Sequence, residues 1–164
     1  MPLEILLLII LLILSGYFSS TELAFVVANK IKLEIRARQK KLAAKNAVYF
    51  LKNTQIFFST ILISNNVINI AFASLLTVFL YSRYQLNDFI ILIISSALIL
   101  FFGELIPKYI ARESADTLIL ISVVPLRIIT VLLYPLVKLT ASLSSFLVRS
   151  AELKDENITS SIAL

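Results

Sequence analysis

Cysteine, histidine and tryptophan are absent from this chain, and glycine occurs only twice. Without Cys and His there is no disulfide framework, thiol nucleophile, zinc site, haem–His ligation or His-based triad. Any bound metal must therefore be a hard ion held by oxygen. Charge is scarce as well: 15% of residues are Asp, Glu, Lys or Arg, where a soluble domain carries about a quarter. What takes their place is aliphatic, with 59% of the 164 residues hydrophobic and a mean hydropathy of +0.95. One small core cannot hide that much Leu and Ile, so the solvent is lipid and the fold class is an all-α integral membrane protein. The net charge of +5 suggests nucleic acid only until its placement is read. No nucleic-acid motif accompanies it, and a lipid bilayer accounts for where the basic residues fall.

Three apolar runs, at 3–27, 56–81 and 89–111, are long enough to cross a hydrocarbon core of about 30 Å. The first lacks the basic start of a cleaved signal and reads as a retained helix. Only the short Ser82–Asp88 turn separates the second and third, which makes them antiparallel neighbours. Between the first two lie Lys30, Lys32, Arg36, Arg38, Lys40, Lys41, Lys45 and Lys52 against a single acid, Glu34. The positive-inside rule places that segment in the cytoplasm and the N-terminus outside, in a multi-pass inner (plasma) membrane protein with a cytoplasmic C-terminus. The first six of these cations, interleaved with Ile31, Leu33, Ile35 and Leu42, also suit short helices on an anionic leaflet.

Residues 118–148 are apolar enough to span, but a fourth crossing would put Arg149 and Lys154 outside. Pro125 and Pro135 are expected to break a straight helix. From Leu136 onward, Leu139, Leu143, Phe146 and Leu147 share one helical face, as an interfacial helix requires. The segment is read as a kinked hairpin or belt in the cytoplasmic leaflet. A membrane domain thus occupies 1–148, and the polar stretch 149–164 reads as the start of a linker.

Polar groups inside the bilayer are costly, so those within the spans carry the information. Ser15 and Ser19 stand one turn apart on the first helix, and Asn65 and Asn69 do so on the second. In the third, Gly103-Glu104 follows a long uncharged stretch, and Pro107 comes four residues after Gly103. Proline donates no N–H, so a helix break is expected at Gly103 and Pro107, freeing the Gly103 carbonyl. Two hydroxyls, two amides, one carbonyl and one carboxylate make six hard oxygens with one negative charge. That set suits Mg²⁺ and would equally accept Na⁺. Other readings remain open: packing serines, interhelical amide hydrogen bonds, a simple kink, and a Glu104–Lys108 pair one turn apart. Glu22 reads as an interface residue facing Asn29–Lys30. With no acid–base partner at membrane depth, the chain is not read as an enzyme.

FSSTELA at 18–24, ILISNNVINI at 61–70 and FGELIPK at 102–108 together resemble the CNNM/CorC membrane domain, also called DUF21, from residue 1 to about 150. Ser20 and Ser64 stand where that family often has Gly. The resemblance implies a homodimer with three transmembrane helices, a cytoplasmic helical pair between the first two, and a juxtamembrane belt helix. It implies magnesium transport, generally export, with sodium proposed as coupling ion. The ion ligands it implies are Ser15, Ser19, Asn65, Asn69, Gly103 and Glu104. Cytoplasmic CBS domains are expected in the full-length protein. A magnesium-sensing regulator or scaffold acting on another transporter would use the same residues.

Overall fold

The computed structural model describes residues 2–38, 42–140 and 142, and all regular elements among them are helical. In chain order these are α1 (Pro2–Val27), α2 (Lys30–Arg38), α3 (Leu42–Lys52), α4 (Thr54–Tyr84) and α5 (Asp88–Leu98). A π-helical segment (Ile99–Leu105) then carries α5 without interruption into α6 (Ile106–Glu113), and α7 (Ala115–Leu132) follows after Ser114. The helical pair expected between the first two spans is α2 and α3.

Local chemistry sets the boundaries. Asn29 starts α2: its side-chain oxygen accepts the Lys32 N–H at 3.1 Å, and its carbonyl accepts that of Leu33. Asn87 caps α5 in the same way through the Ile90 N–H at 2.9 Å. Between them α4 ends at Gln85, whose φ of 51° is left-handed. The chain reverses there within the three residues 85–87, giving the antiparallel neighbours the short turn predicts.

Among the described residues, four helical stretches are long and apolar enough to cross a membrane: Leu3–Val27, Thr54–Tyr84, Asp88–Glu113 and Ala115–Leu132. The chain is a multi-pass membrane protein by this measure, with one more candidate span than the three expected. Pro125, expected to break its helix, lies inside α7. The carbonyl it leaves without a helical donor belongs to Ile121, whose side chain is exposed. The interruption comes instead at Leu133, two residues before Pro135, and helical residues resume at 134–140. Leu143, Phe146 and Leu147, together with the linker at 149–164, lie outside the described residues, as do Lys40 and Lys41.

Apolar packing forms two clusters at opposite ends of the bundle. One gathers Phe18 and Phe25 of α1, Phe50 of α3, Phe57 and Ile61 of α4, and Ile119, Val123 and Leu126 of α7. Its centre is the Phe25–Phe57 ring stack, with centroids 3.8 Å apart. The other joins Leu8, Phe72 and Leu76 to Leu98 and Ile99. Ser15 on α1 and Asn65 and Asn69 on α4 fall between the clusters, and Ser19 falls within the first, between Phe18 and Phe25. Among the described residues, α7 packs only into the first. Its N-terminal Asp116 accepts the Asn29 N–H at 2.9 Å and pairs with Lys32 at 2.7 Å. Toward its other end, Thr130 meets Thr60 at 3.2 Å, and Arg127 lies 3.6 Å from the centre of the Tyr49 ring.

Candidate functional site

The apolar surroundings of Ser15 make its few polar contacts conspicuous. The side chain is 1% exposed. Its hydroxyl donates to the Asn69 side-chain oxygen at 2.7 Å and lies 3.4 Å from that of Asn65. A hydroxyl has one proton to give, so the shorter contact takes it and the Asn65 oxygen stays nearly unclaimed. The i,i+4 spacing of the two asparagines places both on the face of α4 that meets α1. From the third side comes Gly103, buried in the π-helical segment: a Cβ built on it would lie 2.7 Å from the Ser15 Oγ. Ser15, Asn65, Asn69 and the Gly103 backbone therefore converge on one point, drawn from three helices.

Ser19, one turn further along α1, is equally buried, and its hydroxyl has no hydrogen-bond partner among the described residues. An orphaned buried hydroxyl carries a desolvation cost of about 1–3 kcal/mol. Glu104 follows Gly103 in the chain and is half-buried. No hydrogen bond joins it to the other members, and no Lys or Arg among the described residues lies within ion-pair distance. The expected alternative, a Glu104–Lys108 pair, does not form: Lys108 reaches across to Glu22 on α1, at 3.6 Å. Glu22 thus faces α6 rather than the Asn29–Lys30 region assigned to it from sequence. The reason is that α1 and α6 lie side by side, while α2 begins with its own Asn29 cap.

At Pro107 the expected break is absorbed as a wider turn. The Ile106 N–H donates to the Phe101 carbonyl, five residues back rather than four. In that register the next donor would be Pro107 itself, opposite the Phe102 carbonyl. The missing N–H thus falls at Phe102 in the π register, where an α register would put it at Gly103, and the helix continues through the irregularity. Such non-α backbone in a membrane is tolerated where it is buried in protein or lines a cavity.

Three features went unread in the sequence. Gly16 lies against this same segment: a Cβ there would come 2.9 Å from the Pro107 ring and 3.5 Å from the Phe102 carbonyl. Both glycines of the chain thus serve one helix–helix contact, and their scarcity was the available signal. Tyr17 donates its hydroxyl to the Ser122 carbonyl at 2.6 Å, tying α7 to α1. Ser64, beside Asn65, and Ser95 are buried with hydroxyls that have no partner among the described residues. Of the residues proposed to meet an anionic leaflet, Lys30 and Arg38 are exposed and Arg36 is half-buried, whereas Lys32 is engaged with Asp116.

Among the described residues no three His, Cys, Asp or Glu side chains gather into a metal-binding group. The arrangement is of another kind: neutral oxygens from hydroxyl, amide and backbone, with one carboxylate adjacent in sequence. A cavity of about 360 Å³ opens beside it, lined by Asn65, Asn66, Ser59, Gln55 and Glu22. From Asn65 to Gln55 it follows α4 for about 15 Å, toward the end that carries α2 and α3.

Comparison with known proteins bears on the family of the chain. Residues 6–162 match the family model described as the Cyclin M (CNNM) transmembrane N-terminal domain. A UPF0053 protein of Haemophilus influenzae is 33% identical over 150 residues, which is 90% of this chain and 35% of that protein. The UPF0053 inner membrane protein YfjD of Escherichia coli is 30% identical over 150 residues, with the same shares covered. The chain spans about a third of the length of these curated relatives. The oxygen-lined meeting point of α1, α4 and the π-helical segment, and a match that runs along nearly the whole chain, lead to one assignment: this chain belongs to the CNNM family of membrane domains.

Proposed function

We propose that this domain carries Mg²⁺ across the membrane, in the direction of export, with Na⁺ as the coupling ion. The observation that carries the reading is the convergence of Ser15, Asn65, Asn69 and the Gly103 backbone within an otherwise apolar bundle. Ser19, with its orphaned hydroxyl, and Glu104 complete the ligand set. Glu104 supplies the one negative charge; the neutral oxygens replace part of the hydration shell. A single carboxylate gives the modest affinity a conducted ion needs in order to leave. For both oxygens to reach an ion the Ser15–Asn69 hydrogen bond must rearrange, which couples the site to the packing of α1 against α4. The cavity along Asn65, Gln55 and Glu22 is the route to the cytoplasmic side.

The accompanying topology has three crossings, with the N-terminus outside and α7 lying as a belt at the cytoplasmic end. Support comes from α7 itself, both of whose ends touch the basic end of the bundle, at Lys32 and at Tyr49. The assembly is a homodimer. A groove of about 380 Å³ along Gly16, Ser20 and Pro107 offers the small-residue surface that lets membrane helices approach closely.

Reconstitution into liposomes holding a Mg²⁺-sensitive dye tests the function. Wild-type protein should carry Mg²⁺, and Glu104→Gln should not, while both remain folded. Magnesium binding without flux in protein-only liposomes would favour the regulatory reading. Equal flux in the variant would refute the assignment of Glu104.

A further inference from the structure

Away from the ion site, a cavity of about 650 Å³ lies between the end of α3, the start of α4 and the second half of α7. Three cations line it, Lys52, Arg127 and Lys138, and no carboxylate does so among the described residues. None of the three forms an ion pair with a described residue. Arg127 lies over the Tyr49 ring, its guanidinium carbon 3.6 Å from the ring centre, a contact that holds the charge in place without neutralising it. Lys138 lies 6.0 Å from the Tyr134 ring centre.

The start of α4 adds to this charge. Asn53 occupies its N-cap position but makes no side-chain cap bond. Its amide donates backward to the Tyr49 carbonyl at 2.8 Å. Thr54 and Gln55, in the first turn of this 31-residue helix, line the cavity, and Asn53 gives their end of the helix no side-chain cap at the positive end of its dipole. Ile56, Val131 and Val137 give the same cavity an apolar wall. Three cations with no counter-charge, an uncapped helix start and an apolar wall make a receptor for a phosphate with something greasy attached.

We propose that this cavity binds the phosphate of an anionic phospholipid headgroup, with Arg127 as the fork that grips it and Lys52 and Lys138 as flanking charges. Lipid here would bridge α3, α4 and α7, the elements that carry the basic end of the bundle. The proposal does not depend on the ion site, since it shares no residue with the proposed Mg²⁺ ligands.

Native mass spectrometry of the purified 164-residue chain tests it, with lipids titrated from phosphatidylglycerol and phosphatidylcholine micelles and inorganic phosphate as competitor. Phosphatidylglycerol should be retained in preference to phosphatidylcholine. Removing each charge should weaken retention roughly fivefold, for Lys52→Gln and Lys138→Gln as for Arg127→Gln. The two lysines are exposed, so their variants remain informative should loss of Arg127 from the Tyr49 ring disturb folding. Displacement by millimolar inorganic phosphate would show that phosphate alone is recognised; resistance to it would show that the acyl chains contribute. Either supports the site. Equal retention of both lipids, or unchanged retention in the Lys52→Gln/Lys138→Gln double variant, would overturn it.

Discussion

Replacing Gly103 by alanine is the sharpest steric test of the meeting point between α1 and the π-helical segment. The added methyl would sit 2.7 Å from the Ser15 Oγ and 3.3 Å from its Cβ. Carbon and oxygen at van der Waals contact need well over 3 Å, so the hydroxyl must turn away or the helices must part. If the hydroxyl turns, its bond to Asn69 is lost, at about 0.5–1.5 kcal/mol. If the helices part, overpacking costs about 1–3 kcal/mol. Gly103→Ala should therefore melt several degrees below wild type in detergent, as read by thermal unfolding of the purified domain. It should also lose Mg²⁺-dependent stabilisation, because the Ser15 oxygen no longer faces Asn69. Adding Ser15→Gly removes both clashing atoms. The double variant should lose less stability than the two single substitutions summed, a non-additive pair of the kind contacting residues give. The clash is then gone, although the bond to Asn69 is too, so the double variant should still fail to respond to Mg²⁺. A Gly103→Ala protein as stable and as Mg²⁺-responsive as wild type would refute this account of the contact.

Other substitutions probe the site and its supports separately. Asn69→Leu removes the acceptor 2.7 Å from the Ser15 hydroxyl and should cost about 1–3 kcal/mol with loss of ion response, measured by chemical or thermal unfolding. Tyr17→Phe deletes only the hydroxyl bound to the Ser122 carbonyl. It should speed hydrogen exchange in α7 at an unchanged Mg²⁺ response. Glu22→Gln should shift stability by less than about 1 kcal/mol, since its pairing with Lys108 is 3.6 Å long and partly solvated. A Mg²⁺ flux reduced by that substitution would point to Glu22 as part of the route rather than of the scaffold.

Much of this organisation is legible in the residues themselves, for physical reasons. A bilayer fixes span length, so 3–27, 56–81 and 89–111 anticipate the helices Leu3–Val27, Thr54–Tyr84 and Asp88–Glu113 closely. The expense of a polar group in lipid singles out Ser15, Asn65 and Asn69, and helical periodicity puts each pair on one face. The π register is a different matter. Ile99–Leu105 reads ILFFGEL, with no polar alternation before Glu104 to reveal that the turn has widened. Pro107 announces a missing donor without saying whether the helix will break or slip. The Glu22–Lys108 pair is equally hidden, because Lys108 has carboxylates one turn away on its own helix and across on its neighbour. Only the side-by-side packing of α1 and α6, enabled by Gly16 against the Pro107 ring, decides between them. The course of α7 depends likewise on tertiary anchors, at Asn29, Tyr17 and Thr60, that no local pattern encodes.

The central claim, that these oxygens hold Mg²⁺, is tested most directly by ion-selective thermal shift on the purified domain. Wild type and Glu104→Gln would be titrated with Mg²⁺, Na⁺, Ca²⁺ and K⁺. The account predicts a saturable rise in melting temperature with Mg²⁺, approaching what about 2.7 kcal/mol of binding linkage gives at a hundredfold excess over Kd, and its loss in the variant. A Mg²⁺-dependent rise of the same size in Glu104→Gln, or no ion-specific rise in wild type, would contradict it.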